Sequence, residues 1–182
     1  RIKKGEDFII IRFVSWDASH DVGKSGIDYE SKIELVQKLS KDYKVFISSE
    51  GDLPKELEKY IIKINPEKMH DVLYYCSLFI GEGATMASEC AMLGTPAIYV
   101  NSLATGYCNE LESKYKLLYN FKNMNGVIDK AFELLDLKNK ELFINRSQKM
   151  INDKIDVTEF MVWFLNNYPD SFNIMKNKSN DE

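Results

Sequence analysis

Between residues 7 and 121 the sequence alternates between two hydrophobic periods, and that alternation restricts the chain to a small set of folds. Six short runs rich in β-branched and aromatic residues read as strands: "DFIIIRFVSW", "YKVFISSE", "IIKIN", "LFIGEG", "PAIYVN" and "KLLYNF". The segments between them have helical spacing. "DYESKIELVQKLSKD" places Ile33, Val36 and Leu39 on one face and charges on the other. "LPKELEKY" predicts a short polar helix with Pro54 near its start, where a missing N–H costs nothing. "EKMHDVLYYCS" predicts a helix with Met69, Val72, Leu73 and Cys76 inward, and "TMASECAMLG" a helix ended by Gly94. Asn65-Pro66 halts the third strand. Strands alternating with helices call for a parallel sheet covered on both faces. Right-handed crossovers then make it a doubly wound, Rossmann-like α/β domain.

From about Met124 the pattern becomes helical throughout. "NGVIDKAFELLDL" carries Val127, Ile128, Ala131, Phe132 and Leu135 on one face, and "KELFINRSQKMINDK" follows as a second helix. "DVTEFMVWFLNNY" opens with Asp156 and Glu159 at capping-box separation. Its Phe160, Val162, Trp163, Phe164 and Leu165 leave little polar face, so this helix is expected to bury itself against something. The sequence thus reads as one Rossmann-like domain over residues 1–170, with residues 124–168 as its extra C-terminal helices. Residues 171–182 read as a polar, disordered tail.

Composition removes several function classes. The net charge of −4 argues against nucleic acid as a partner, which would favour a basic stripe. No apolar run approaches the ~20 residues that span a bilayer. Cys76, Cys90 and Cys108 offer neither zinc-site spacing nor an even count, so buried free thiols in a reducing, cytoplasmic setting are expected. The chain opens at Arg1 without a signal-peptide pattern and reads as a piece of a longer protein.

The loop after the first strand, "SWDASHDVGKSG", is unusually polar. Its "ASHDVGKS" resembles a phosphate loop, but Ala18 replaces the first glycine and Gly26 is a poor opening for the required helix. No later strand ends in an Asp suited to hold a metal. The loop nonetheless leaves the carboxyl end of a parallel strand, where ligands bind in such sheets. Asp17, Ser19, His20 and Asp21 are therefore either ligand-facing or simply turn and capping residues. His20 is a candidate substrate-contacting or acid/base group. His70, beside Asp71 on an amphipathic helix, reads as solvent-facing and structural.

The strongest signal is "GEGATMASE", Gly81 to Glu89. The two glycines let backbone pass close to a ligand. The next helix points its amino-terminal N–H groups and positive dipole end into the same space, which suits phosphate. Glu89 lies four residues after Thr85 on the same face, where a carboxylate could accept hydrogen bonds from a ribose diol. The simpler reading of Glu89 is a favourable first-turn charge.

The run "KMHDVLYYCSLFIGEGATMASECAMLGTPAIYV" resembles the carboxy-terminal, nucleotide-sugar-binding domain of GT-B-fold proteins. The lipid II-forming N-acetylglucosaminyltransferase and the UDP-GlcNAc 2-epimerase are members. With "RFVSWDASHDVG" also present, the chain is most similar to a prokaryotic family of GT-B-like proteins described as glycosyltransferases. The broad resemblance covers roughly residues 8 to 135, and the strong motif residues 69 to 100. It implies that Gly83, Ala84 and Thr85 contact a diphosphate and that Glu89 holds the ribose. It further implies that the loop from Asn65 to Met69 borders the base, and that the loop carrying Ser19 faces the sugar-phosphate. The helix around Phe160 to Leu165 would reach toward an amino-terminal half. "NSLATGYCNELESK" lacks the Gln-rich sugar-contacting run of the transferase, and "SWDASHDVG" is not the His-Arg-Arg run of the epimerase.

These readings lead to the donor-binding half of a glycosyltransferase that uses a UDP-sugar as substrate, with no cofactor and no metal. The catalytic base would come from an absent amino-terminal half, with His20 and Asp17 as the candidates inside this chain. On this view the isolated chain is inactive. A sugar-nucleotide epimerase domain and a non-catalytic Rossmann-like binding module are the alternatives. Peripheral membrane association of the whole protein and homo-oligomerisation stay open as partner modes.

Overall fold

The computed structural model describes residues 6–15, 26–103, 105–137 and 139–178. Two compact units make up the chain, Arg1–Lys149 and Met150–Glu182.

The first unit holds five parallel strands: β1 (Phe8–Phe13), β2 (Lys44–Ser49), β3 (Leu78–Gly81), β4 (Ala97–Val100) and β5 (Leu118–Phe121). They lie in the order β2-β1-β3-β4-β5. All four pairings are parallel, with Ile10 opposite Phe46 and Phe79, and Ile80 opposite Ile98. Strands buried on both faces read as continuous apolar runs rather than alternating ones. Accordingly Ile9, Ile10, Ile11, Leu78, Phe79, Ile80, Ala97 and Ile98 are all fully buried. The expected parallel, Rossmann-like α/β fold is the one observed.

Around the sheet pack α1 (Tyr29–Leu39), α2 (Met69–Tyr75), α3 (Ala84–Leu93), α4 (Gly106–Ser113), α5 (Val127–Asp136) and α6 (Lys140–Asn152). The helices turn apolar residues inward, such as Leu35, Val36 and Leu39 from α1, Ala87, Cys90 and Ala91 from α3, and Leu73 alone from α2. Asp28 caps α1, its side chain accepting the Ser31 N–H at 2.9 Å. Gly94 ends α3 at φ +72°, a conformation that suits glycine. A Cβ there would also lie 2.9 Å from the Ile144 main chain of α6, so no other residue fits without a shift.

Three local readings change. "IIKIN" does not form a strand. It meets β2 through a single parallel bridge between Ile47 and Ile61, and the Ile62 N–H donates to the Ile47 carbonyl at 2.9 Å. Ile61 and Lys63 are exposed there, and the short turn that opens at Pro66 takes the chain away from the sheet edge. The short helix after Pro54 is a 3-10 turn, Lys55–Tyr60. Helix α4 was not foreseen, because "GYCNELES" buries only Cys108 and Leu111 and carries little periodicity.

In the second unit, α7 (Val157–Asn166) starts on Asp156, whose side chain accepts the Glu159 N–H at 2.9 Å, as the capping pair predicted. Phe160 meets Trp163 and Phe164 in tilted contacts, with centroids 5.9 and 6.1 Å away. Although this helix was expected to bury itself, none of its residues is buried. Where a disordered tail over residues 171–182 was expected, Asp170–Lys178 form α8, anchored by Ser171 Oγ donating to the Phe164 carbonyl at 2.6 Å. Among the described residues no helix is long and apolar enough to cross a membrane.

Candidate functional site

The strand order fixes where a ligand can sit. From β1 the chain moves outward to β2, then returns across β1 to β3 on the other side. The two connections leave in opposite directions, which opens a crevice beyond the carboxyl ends of β1 and β3, the topological switch point of such sheets. The ends of β1 and β3, which lead into the two motifs singled out in the sequence, border this crevice. The loop after β1 follows Val14 and Ser15, and the "GEGAT" turn follows β3.

Glu82 joins the two sides. It is 1% exposed, and its carboxylate accepts the Val14 N–H at 3.0 Å and the Ile27 N–H at 2.5 Å. One buried side chain thus ties down both ends of the first loop. Its own carbonyl accepts the Asn101 side-chain amide at 3.0 Å, and Asn101 Oδ1 accepts the Leu103 N–H at 2.9 Å. The exits of β1, β3 and β4 are therefore held by one connected set of hydrogen bonds. Sequence reasoning gave Glu82 no role. The available signal was a carboxylate at the end of an otherwise apolar strand, in a place where a buried charge survives only if hydrogen-bonded.

The two glycines of the turn differ. A Cβ on Gly81 would lie 2.6 Å from the Phe79 ring, so packing alone accounts for that glycine. A Cβ on Gly83 would meet only Val14 Cγ1, at 3.9 Å. Gly83 is the N-cap of α3 and offers no side chain to the first-turn N–H groups. Those groups, at Ala84, Thr85 and Met86, open the helix beside the crevice, and Thr85 is exposed there. A helix start of this kind is suited to an anion.

Glu89 is the sixth residue of α3, and no acidic residue lies in the first turn. Dipole stabilisation fades within that turn, so the simpler reading of Glu89 loses weight. Its side chain is 36% exposed and stands 3.6 Å from His70 Nε2 on α2. Thr95 fixes the two helices together: it is fully buried, its Oγ1 donates to the Leu73 carbonyl at 2.8 Å, and its N–H donates to the Cys90 carbonyl at 2.9 Å.

The turn into α2 lies on the same side. Asn65 is exposed, its side-chain amide donating to Glu67 Oε1 at 3.2 Å, and Met69 is half-buried at the start of α2. Of the residues expected at the site, Gly83, Ala84, Thr85 and Glu89 share one turn and helix. Asn65 and Met69 lie just before the His70 that stands 3.6 Å from Glu89. Asp17, Ser19 and His20, with the loop's Asp21 and Lys24, lie outside the described residues.

Arg12, the residue of β1 opposite Gly81 and Ser48, donates to Ser48 Oγ and to Glu50, which braces the exit of β2. A cavity of about 230 Å³ opens at the other end of the sheet, beside Asp7, Ser77 and Lys140. There Lys140 Nζ donates to the Tyr74 carbonyl and sits 4.2 Å over the Tyr74 ring. That cavity lies beyond the amino ends of the strands, away from the switch point. All three cysteines are free and buried. Burial pushes the Cys76 thiol up to about 12 and raises Cys90 and Cys108 in the same direction. Among the described residues no group of three His, Cys, Asp or Glu side chains is placed to hold a metal ion.

The sheet order and the turn at its switch point define a Rossmann-like α/β protein whose fold is shared with glycosyltransferases. The chain belongs to the family described as "Protein of unknown function (DUF354)", which it matches over residues 8–169. No curated protein matches it. Among solved structures it is similar to the glycotransferase of kitacinnamycin, at 14% identity and TM-score 0.56, covering 84% of this chain and 41% of that one. It is also similar to the glycosyltransferase SnogD from Streptomyces nogalater, at 14% identity and TM-score 0.54, over 80% and 40% of the two chains. A protein from Listeria monocytogenes described as a UDP-N-acetylglucosamine 2-epimerase matches at 18% identity and TM-score 0.51, over 79% and 40%. The chain therefore spans about two-fifths of the length of these structures.

Proposed function

We propose that this chain is the donor-binding half of a GT-B-type glycosyltransferase and that it takes a nucleotide-sugar of the UDP-sugar class. The observation that carries the reading is the pairing of an open helix start with Glu89 at the switch point. Gly83 leaves the first N–H groups of α3 without a side-chain cap, and Glu89 presents a partly exposed carboxylate on the same helix. A diphosphate on the helix start and a ribose on Glu89 would use both. The shared fold with glycosyltransferases, over two-fifths of their length, supports a second half elsewhere in the whole protein.

In such an enzyme the α3 N–H groups and dipole end stabilise charge as it develops on the leaving diphosphate, the moment at which preorganised donors lower a barrier. A base from the other half removes the proton of the acceptor hydroxyl. Glu82 ties Val14 and Ile27, the residues on either side of the β1 loop, to the turn after β3. Calorimetry of the chain with UDP tests the reading. Modest affinity is expected, and the absence of any binding contradicts it. A sugar-nucleotide epimerase is the second reading, favoured by the match to the Listeria protein. Product analysis on the whole protein separates the two, because a transferase yields UDP and a glycosylated acceptor whereas an epimerase returns an isomeric UDP-sugar.

A further inference from the structure

We propose that His70 is a ribose-binding residue that works as a pair with Glu89, the two side chains gripping the vicinal hydroxyls of the nucleotide from two helices. This inference rests on the nucleotide-sugar reading above. His70 Nε2 and Glu89 Oε2 are 3.6 Å apart. That is longer than a direct hydrogen bond and within ion-pair distance, so hydroxyls lying in front of the pair can reach both groups. The two side chains are 68% and 36% exposed, so they reach the same solvent-facing space rather than a closed interior. The acid next to His70 is turned elsewhere, since Asp71 stands 3.7 Å from the Nζ of Lys68, the residue that precedes α2.

The chemistry of the pair is complementary. A carboxylate only accepts hydrogen bonds, whereas an imidazole donates from one nitrogen. A diol has O–H groups for Glu89 and lone pairs for the imidazole N–H, which neither side chain could satisfy alone. The supports are rigid: Leu73 of α2 and Ala87 and Cys90 of α3 are buried at 0% exposure, and Thr95 bonds the Leu73 carbonyl. A pair held on packed helices keeps its spacing better than one held on loops.

The test is calorimetry of the chain with UDP and with 2′,3′-dideoxy-UDP, for wild type, His70→Ala, His70→Gln and Glu89→Gln. His70→Ala is expected to weaken UDP about three- to tenfold, the factor of one hydrogen bond, and to leave dideoxy-UDP unchanged. His70→Gln, which restores an N–H donor, is expected to recover most of that loss. The melting temperature should not move, because the side chain is exposed. If His70→Ala binds UDP like wild type while Glu89→Gln binds it weakly, this inference falls and the nucleotide-sugar reading stands. Equal weakening of both ligands by His70→Ala also overturns it, as a merely structural role would do. A wild-type chain that binds neither ligand overturns both.

Discussion

The carboxylate of Glu82 bonds the N–H of Ile27, a residue 55 positions earlier in the chain, and so fastens the far end of the β1 loop to the turn after β3. The same carboxylate takes the Val14 N–H at the near end. Removing it strands two main-chain donors beside a site that is 1% exposed. Glu82→Ala is expected to lower unfolding stability by about 1–3 kcal/mol, the cost of leaving buried partners unsatisfied. Urea denaturation checks this, and a midpoint equal to wild type contradicts the tether.

Two glycine-to-alanine substitutions are expected to part company. Gly94→Ala forces a left-handed conformation on alanine, at about 1–2 kcal/mol, and drives Cβ to 2.9 Å from the Ile144 main chain. A melting temperature lower by at least about 2–4 °C follows for a chain of this size. Gly83→Ala meets only Val14 Cγ1 at 3.9 Å. Its stability cost stays within about 1 kcal/mol, the span between good and poor N-cap residues. Thermal melts of the two variants, run side by side, check the contrast.

The cysteines are expected to resist alkylation in the folded protein. Cys76 is 2% exposed, and its thiol is pushed up to about 12 by burial, so the nucleophilic thiolate is scarce near neutral pH. Raising the pH toward that value is expected to increase labelling, as the thiolate fraction grows. Mass spectrometry after iodoacetamide treatment should show no adduct natively and adducts on Cys76, Cys90 and Cys108 after unfolding. Rapid native labelling of Cys76 contradicts the packing described.

Catalysis is expected to be absent from the isolated chain even where UDP binds. On the proposed reading this chain supplies donors for a diphosphate and a carboxylate for the ribose hydroxyls, and the acceptor substrate would be held by another half. Incubation with UDP-sugars followed by product analysis checks this. Turnover beyond slow hydrolysis contradicts the view that half of the site lies elsewhere.

Much of the fold was legible because fully buried strands such as "FIII" and "LFIG" are apolar without interruption, and one stripe of each major helix is too. What failed was local. Ile61 to Ile64 have strand-like side chains, yet a strand also needs a partner along its length, and only Ile47 provides one. Helix α4 buries two residues in eight, too few to imprint a period. The helix start that links Gly83, Ala84 and Thr85 to Glu89 was legible because a glycine turn and a helix are contiguous in sequence. The contacts of Glu82 and His70 were not, because their partners are non-local. Val14 lies 68 residues from Glu82, and His70 meets Glu89 only after α2 packs on α3. The apolar side of α7 was legible as composition, but composition does not say what covers it.

The most direct test is the affinity of UDP for wild type and for Glu89→Gln, with 2′,3′-dideoxy-UDP as the control ligand. If Glu89 accepts hydrogen bonds from the ribose, Glu89→Gln weakens UDP by about 1.5–3 kcal/mol, the range for bonds to a charged group. Dideoxy-UDP then binds wild type and variant about equally, and the melting temperature barely moves, because Gln is nearly isosteric and Glu89 lies beyond the first turn of α3. A wild-type protein indifferent to the loss of the ribose hydroxyls, with Glu89→Gln binding UDP unchanged, contradicts the nucleotide-sugar site.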